Sequence, residues 1–273
     1  MSRLFTFGCS FTKYSWPTWV DTIADQFDEV QNWGMPGSGN QSISIRLTQC
    51  HKANRITKDD TVLIMWTNIT REDVWGTNGW SNRGNVYYKP FHPETIDALQ
   101  WYALRDFTTI ANTVWFLDHL GCNYELYSIL PITVQYDQYI EQPKVNISVY
   151  ERAGAVADLF GDELDRIKPS VLDVLYNGTW PKDRRDMHPL PGEHLKYMDL
   201  VSSYTPSDSA RKRAYEQDML VNDKIESFGP NRLRGGMQIM LSNDELSEIN
   251  NVTKKNHTLA MSGLQDYELV HYE

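Results

Sequence analysis

Residues 61–66 read Thr-Val-Leu-Ile-Met-Trp and are apolar throughout after the first position. A strand that is apolar on both faces is typical of the centre of a parallel sheet, because helices cover such a sheet on both sides. The polar residues Thr67 and Asn68 follow directly. The segment therefore predicts a central strand of an α/β fold, with polar side chains at its carboxyl end.

Shorter segments on both sides of this strand extend the same pattern. Three of them have the length and apolar content of strands, and they lie at residues 3–7, 29–33 and 124–130. Segments with helical spacing alternate with these, at residues 15–27, 40–53, 93–120, 151–176 and 192–204. This alternation predicts a three-layer α/β/α sandwich around a mostly parallel sheet. Residues 67–93 have no clear period and are predicted to form a long loop.

The chain divides near residue 205 into two parts of different composition. Residues 1–205 contain the alternating segments and are predicted to form one domain. Residues 206–273 are more polar, with many Asn and Ser residues. Short apolar stretches at 219–221 and 237–241 predict a C-terminal extension that docks on the domain or mediates oligomer or assembly contacts.

The composition of the chain argues against several classes of protein. Hydrophobic residues make up 41% of the 273 residues and charged residues 23%, which suits a packed core. A formal net charge of −10 makes nucleic acid an unfavourable partner. No run approaches the ~20 apolar residues of a membrane helix, so we expect no membrane partner. The first residues lack the apolar core of a secretory signal, so we expect a cytoplasmic location, with virion association as the alternative.

The cysteines do not indicate a structural or metal-binding role. Cys9, Cys50 and Cys122 are too few and too scattered for a disulfide framework, and no pair has zinc-site spacing. We therefore expect a reducing compartment, no metal and no other cofactor.

Four short polar blocks carry the residues with chemical potential. They read Phe-Gly-Cys-Ser-Phe-Thr at 7–12, Asn-Trp-Gly-Met-Pro-Gly-Ser-Gly-Asn at 32–40, Trp-Thr-Asn at 66–68 and Asp-Arg-Arg-Asp-Met-His-Pro at 183–189. Open parallel sheets bind ligands at the carboxyl ends of their strands, where the first three blocks are predicted to lie. A serine on a turn that begins with glycine can present its hydroxyl to such a ligand.

The order of these blocks resembles that of the SGNH/GDSL hydrolases, which supply Ser, Gly, Asn and finally Asp and His. The Trp-Pro pair at 16–17 fits the same resemblance, which spans roughly residues 3–200. It implies a flavodoxin-like SGNH hydrolase fold and a serine esterase activity. The Gly-Cys-Ser-Phe-Thr form of the first block is similar to that of SGNH-like proteins from bacteria and their phages.

The resemblance also implies a role for individual residues. Ser10 would be the nucleophile, His188 its general base, and Asp186 the acid that orients the imidazole. The backbone N–H groups of Ser10 and Gly37 and the side-chain amide of Asn68 would bind the oxyanion. No cofactor takes part in this chemistry.

Departures from the family pattern leave some of these roles open. Cys9 replaces the usual acid before the nucleophile, and its thiol is an alternative nucleophile. Asp186 stands two residues before the histidine rather than the common three, so Asp183 is a second candidate acid. Gly39 competes with Gly37 for the oxyanion role in the second block.

Departures from the family pattern also motivate a second hypothesis for the whole protein. Asn68 lacks the usual glycine before it and the usual Asp after it. This altered block, the displaced aspartate and the extension suggest a non-catalytic SGNH-like module that serves a structural or binding role in a phage or cell-surface assembly. Separately, His194 in the predicted closing helix is a rival to His188 as the base.

Aromatic residues concentrate between positions 66 and 102, where four of the nine tryptophans lie. Trp66, Trp75 and Trp80 are predicted to bind substrate, because aromatic faces suit the apolar C–H faces of sugar rings. We therefore expect a small-molecule or glycan ester as substrate, with a small acyl group such as acetyl.

Overall fold

The computed structural model describes residues 2–69, 71–76, 79–85, 96–132, 156–181 and 186–227. For residues 75–76, 79–85 and 96–100 this description is restricted to the backbone. In these ranges the chain forms a four-stranded parallel sheet and a separate two-stranded hairpin, and helices pack on both faces of the sheet. The predicted α/β fold with a parallel central sheet is confirmed.

The four strands of the sheet and the helix Asn40–Asn54 have bounds within two residues of the predicted segments, whereas the first helix covers only part of residues 15–27 and two short helices lie within residues 151–176. The strands are β1 (Arg3–Phe7), β2 (Glu29–Asn32), β3 (Thr61–Trp66), β4 (Arg71–Gly76), β5 (Gly79–Asn85) and β6 (Asn123–Ser128). The α-helices are α1 (Trp19–Ile23), α2 (Asn40–Asn54), α3 (Ile96–Leu120), α4 (Gly161–Leu164), α5 (Val171–Tyr176), α6 (Pro191–Val201) and α7 (Asp208–Ser227). None of the helices in the described ranges combines the length and the apolar character needed to cross a bilayer.

The order of the strands in the sheet is β2-β1-β3-β6, and all neighbouring pairs are parallel. The chain runs from β1 outward to β2 and then crosses back to place β3 on the other side of β1. Adjacent loops therefore leave β1 and β3 in opposite directions, which creates a topological switch point. Open α/β sheets bind their ligands at such a point, beyond the carboxyl ends of the strands.

Successive residues of β3 enter two separate cores, as its apolar sequence requires. Val62 and Ile64 pack with residues of α2 and α3 on one face of the sheet. Leu63 and Met65 pack with residues of α1, α5 and α6 on the other face. All four side chains are fully buried, and complete burial of each stabilises the fold by roughly 1.5–3 kcal/mol.

The hairpin of β4 and β5 replaces the long loop predicted for this part of the chain. The pairing register shifts between Arg71 and Asp73, which disturbs the two-residue alternation that would reveal a strand. Side chains of β4 reach back to the second polar block. Arg71 Nη1 donates to the carbonyl oxygen of Ser38 (2.8 Å), and Asp73 accepts from the backbone N–H groups of Gly39 (2.7 Å) and Ser42 (3.0 Å).

Helix α7 begins the segment predicted as a C-terminal extension, and it packs against α1 and α6. Its inward face buries Ala210, Ala214 and Val221. The guanidinium of Arg213 lies 3.4 Å from the Asp25 carboxylate, in the short 3-10 turn after α1. Residues 228–273, including the apolar stretch at 237–241, lie outside the described residues.

Candidate active site

A tight turn after β1 carries Ser10. The Cys9 carbonyl accepts the backbone N–H of Thr12 (3.0 Å), which closes the turn around the serine. A Cβ atom at Gly8 would lie 2.0 Å from Thr12 Oγ1 and 3.0 Å from the carbonyl oxygen of Met65, so the close packing of the turn against Gly8 requires glycine. Ser10 is 5% exposed, at the carboxyl edge of the sheet.

The side chains of Ser10, His188 and Asp186 form a continuous hydrogen-bonded chain. His188 Nε2 lies 2.8 Å from Ser10 Oγ, and His188 Nδ1 lies 2.6 Å from Asp186 Oδ1. An ionised carboxylate can only accept, so Nδ1 carries the proton and Nε2 is left to accept the serine O–H. The imidazole is 19% exposed and the carboxylate 6%, so a ligand can approach the histidine while the acid stays shielded.

Because Asp186 lies two residues before His188, one of its carboxylate oxygens can bind both the backbone and the ring of the histidine. Asp186 Oδ1 accepts the backbone N–H of His188 at 2.8 Å as well as the ring Nδ1–H. Burial raises the pKa of Asp186, but hydrogen bonds from His188 and Tyr14 outweigh this effect and hold the pKa below its usual range. The acid is therefore ionised at neutral pH.

Aromatic rings surround His188, and the sequence analysis did not identify them as part of the site. Tyr14 stacks on the imidazole, with ring centroids 3.7 Å apart and planes 17° apart. Phe11 and Trp16 also contact the ring, at centroid distances of 5.1 and 6.4 Å. The only signal in the sequence is that all three residues follow Ser10 within one short stretch.

Two loops that flank β1 carry the predicted oxyanion donors. Gly37 has a φ of +84°, a conformation that favours glycine, in the loop after β2. Asn68 is buried at the carboxyl end of β3. Because β1 lies between β2 and β3, these loops lie on either side of the turn that holds Ser10. The N–H of Gly39 is already bound by Asp73 Oδ1 at 2.7 Å, which disfavours Gly39 as the alternative donor.

A buried polar network holds the loop that carries Asn68. Asn40, the first residue of α2, accepts the backbone N–H of Thr67 (2.9 Å) and donates to its carbonyl (3.1 Å). The same amide donates to Asp106 Oδ2 (2.8 Å). The other carboxylate oxygen of Asp106, Oδ1, accepts from Arg105 Nε (2.7 Å). Burial raises the pKa of Asp106 to about 7, against the opposing effects of Arg105 and Asn40. The backbone position next to Asn68 is thus fixed from α2 and α3.

The predicted substrate-binding tryptophans have different positions in the fold. Trp66 is fully buried in the core beside α3, so its predicted contact with substrate is corrected to a packing role. Trp75 and Trp80 lie directly opposite each other in the register of β4 and β5. Their side chains lie outside the described part of the structure, as does the alternative acid Asp183.

The remaining alternatives are buried side chains with packing roles. Cys9 is fully buried in the core on the α1 side of the sheet, where a thiol cannot meet a substrate. His194 is also buried, and burial lowers its pKa to about 3, so its ring stays neutral. Within the described ranges, no group of three His, Cys, Asp or Glu side chains is arranged to hold a metal ion.

No family profile and no curated protein matches the sequence. Among solved structures, the chain is similar to the crystal structure of a member of the lipolytic protein G-D-S-L family from Veillonella parvula DSM 2008. The two chains are 15% identical, the match covers 73% of this chain and 97% of that chain, and the TM-score is 0.41. At this identity and score, the activity has to be inferred from the side-chain geometry.

Proposed function

We propose that the protein is a serine hydrolase of the SGNH type that cleaves carboxylic esters. The observation that carries this proposal is the hydrogen-bonded chain from Asp186 through His188 to Ser10, with distances of 2.6 and 2.8 Å. An alcohol is a weak nucleophile at neutral pH until a neighbouring base removes its proton. The arrangement supplies that base in the correct tautomer, at the switch point of the sheet where ligands bind.

The reaction begins when His188 Nε2 takes the proton of Ser10 as Oγ attacks the ester carbonyl carbon. The carbonyl oxygen becomes an oxyanion, which the N–H groups of Ser10 and Gly37 and the amide of Asn68 stabilise. The C–O bond to the alcohol then breaks, and His188 returns the proton to the leaving oxygen. Water attacks the acyl-serine with His188 again as base, which releases the carboxylic acid and restores Ser10. Asp186 stabilises the imidazolium in both steps.

The substrate that best fits is a carbohydrate or a related molecule carrying a small acyl group such as acetyl. The support for this choice is the aromatic-rich stretch after β3, in which Trp75 and Trp80 are paired across the hairpin. Flat aromatic faces bind sugar rings through their C–H groups. The hairpin is joined to the second polar block through Arg71 and Asp73, which ties it to the proposed oxyanion loop.

Covalent labelling and ester hydrolysis test the proposal together. Wild-type protein should react with a fluorophosphonate at Ser10 and hydrolyse a chromogenic acetate ester, and Ser10→Ala should lose both, with hydrolysis reduced more than about 10³-fold. Ser227→Ala is the matched control, because this exposed hydroxyl donates to the carbonyl of Lys224 at the end of α7. If wild type and Ser10→Ala were equally unreactive, the protein would instead be a non-catalytic SGNH-like module.

A further inference from the structure

Tyr14 makes two separate contacts with the proposed catalytic residues. Its ring lies parallel to the His188 imidazole at a centroid distance of 3.7 Å. Its hydroxyl donates to Asp186 Oδ2 at 2.7 Å. One side chain thus touches both the base and the acid, from a position four residues after the nucleophile.

The contacts of Tyr14 complete the hydrogen bonding of the acid. Asp186 Oδ1 accepts the two N–H groups of His188, and Oδ2 accepts the Tyr14 hydroxyl. With both oxygens bound, the carboxylate cannot rotate about its own axis without losing a charge-assisted hydrogen bond. Without Tyr14, the part-buried Oδ2 loses this donor.

Trp16 holds the tyrosine ring in place. The two rings meet edge to face, with centroids 4.5 Å apart and planes 87° apart. Trp16 is itself buried, and its Nε1 donates to the carbonyl oxygen of Pro189 at 2.9 Å. Because Pro189 follows His188 directly, this hydrogen bond attaches the aromatic pair to residues 186–190, which we call the histidine loop.

We propose that Tyr14 is a positioning residue that fixes the geometry of the Asp186–His188 pair and moderates the charge of the carboxylate that faces the imidazole. This inference rests on the proposed serine hydrolase activity. The hydroxyl takes up part of the negative charge of Asp186 through its hydrogen bond and lowers the pKa of that carboxyl, so the acid stays ionised while the imidazole accepts the proton of Ser10. The ring face stacks on the imidazole and holds its plane through the proton transfers.

The ionisation of the neighbouring groups suits this role. Burial and the hydrogen bond to Asp186 raise the pKa of Tyr14, so the hydroxyl is protonated and remains a donor at neutral pH. His194, whose ring meets Phe11 edge to face, is neutral because burial and the nearby His188 lower its pKa to about 3, against the opposing effect of Asp21. Asp186 is the carboxylate that pairs with the His188 ring.

The test compares Tyr14→Phe and Tyr14→Leu with wild type in hydrolysis of a chromogenic acetate ester from pH 5 to 9. Tyr14→Phe keeps the ring and loses the hydroxyl, so we expect kcat to fall about tenfold with KM unchanged. The Tyr14 hydrogen bond is one of the contacts that lower the pKa of Asp186, so its loss raises that pKa and the carboxylate becomes protonated at a higher pH. The acid limb of the kcat/KM profile should therefore move to higher pH. Tyr14→Leu also loses the stacking, so kcat should fall further, by about 100-fold.

Tyr124→Phe is the matched control, because the Tyr124 hydroxyl donates to Asp118 at 2.6 Å in a tyrosine–aspartate pair away from the site. It should leave kcat and the pH profile unchanged. An active wild type with a Tyr14→Phe variant of equal kcat and equal pH profile would overturn the role of Tyr14 alone. So would a Tyr14→Phe variant that loses activity only through a lower melting temperature, with an unmoved profile. A wild type that neither hydrolyses the ester nor reacts at Ser10 would instead overturn the proposed function.

Discussion

The carboxylate of Asp186 accepts hydrogen bonds from both the backbone and the ring of His188, which favours Asp186 as the acid that orients the imidazole. In Asp186→Asn the side-chain amide keeps the shape but favours the wrong tautomer of the histidine. We therefore expect kcat for a chromogenic acetate ester to fall by about 10³–10⁴-fold. Steady-state kinetics on the folded variant measures this loss.

Asp183→Asn is the comparison that separates the two candidate acids. It changes the same functional group three positions earlier in the same polar block. We expect this variant to retain wild-type kcat. The reverse result, with Asp183→Asn inactive and Asp186→Asn active, would transfer the role of the acid to Asp183.

His194 makes the stability of the protein depend on pH. Burial lowers its pKa from 6.5 to about 3, so the unfolded chain binds a proton there below about pH 6.5 while the folded protein does not. The contribution to stability is full above pH 6.5 and is lost as the pH falls toward 3. Relative to His194→Gln, the unfolding free energy of wild type should drop by up to about 1.4 kcal/mol per pH unit in this window. Urea unfolding at several pH values tests this, and a constant difference between the two proteins would contradict it.

Individual site residues differ in how visible they are in the sequence. Ser10, Asp186 and His188 lie in short local blocks whose residue types and order carry chemical meaning, so the sequence is enough to propose them. Tyr14 is not visible in this way, because its contact with Asp186 spans 172 positions and depends on how the histidine loop returns to the turn after β1. The substrate contact predicted for Trp66 was wrong for a different reason, since a position at the end of a strand does not reveal which face the side chain occupies.

The helix α2 and the strand β3 meet through Asn40, which pairs with both backbone groups of Thr67. Asn40→Ala should leave these buried groups unpaired and destabilise the protein by about 1–3 kcal/mol. It should also lower kcat, by about tenfold, because the loop that carries Asn68, a proposed oxyanion donor, is then less firmly held. Kinetics and urea unfolding on the same preparation measure both effects.

Asn54→Ala is the matched control for this prediction, since it removes an asparagine amide from the opposite end of α2. Asn54 donates to the carbonyl of Cys50 within the helix, and its side-chain oxygen accepts from Gln31 Nε2 at 3.0 Å. We expect its kcat to match wild type. If Asn40→Ala had the same kcat as wild type, the buried polar network around Asn40 would have no role in catalysis.

Elements with a strong apolar period could be located from the sequence, and those defined by pairing or capping could not. The boundaries of β1 and β3 match their predicted ranges, because continuous burial requires continuous apolar sequence. The hairpin of β4 and β5 was missed, because cross-strand pairing rather than a period defines it. Helix α1 begins after Thr18 instead of Ser15, because Asp21 Oδ2 accepts the Thr18 N–H at 2.7 Å and caps the helix there.

At the scale of the whole molecule, α7 connects the distal part of the described chain to the helix that follows the histidine loop. Arg211 pairs with Asp199 of α6, and Arg213 pairs with Asp25 beside α1. Composition alone suggested a boundary near residue 205, since α7 is polar over much of its surface. We propose instead that α7 stabilises the proposed hydrolase unit, with its exposed Tyr215 and Met219 left on the outer side.

Asp218 gives this proposal a specific test. Its Oδ1 accepts the backbone N–H of Gly192 at 2.7 Å, one of the N–H groups at the start of α6 that have no partner within their own helix. A Cβ at Gly192 would lie 2.2 Å from Asp218 Oδ2, so glycine allows the carboxylate to approach the helix end, where negative charge is favourable. Asp218→Ala should therefore lower the unfolding free energy by about 0.5–2 kcal/mol.

We expect the loss of stability to affect the active site as well, because α6 begins three residues after His188. When its first turn is no longer capped from α7, the segment holding the imidazole is less firmly fixed, and kcat should fall modestly along with stability. Asp223→Ala, an exposed carboxylate on the same helix, is the control and should change neither quantity. If the unfolding curves of Asp218→Ala and Asp223→Ala coincided, α7 would pack on the domain without adding to its stability. The boundary near residue 205 that the composition suggests would then also limit the part of the chain that contributes to the unfolding free energy.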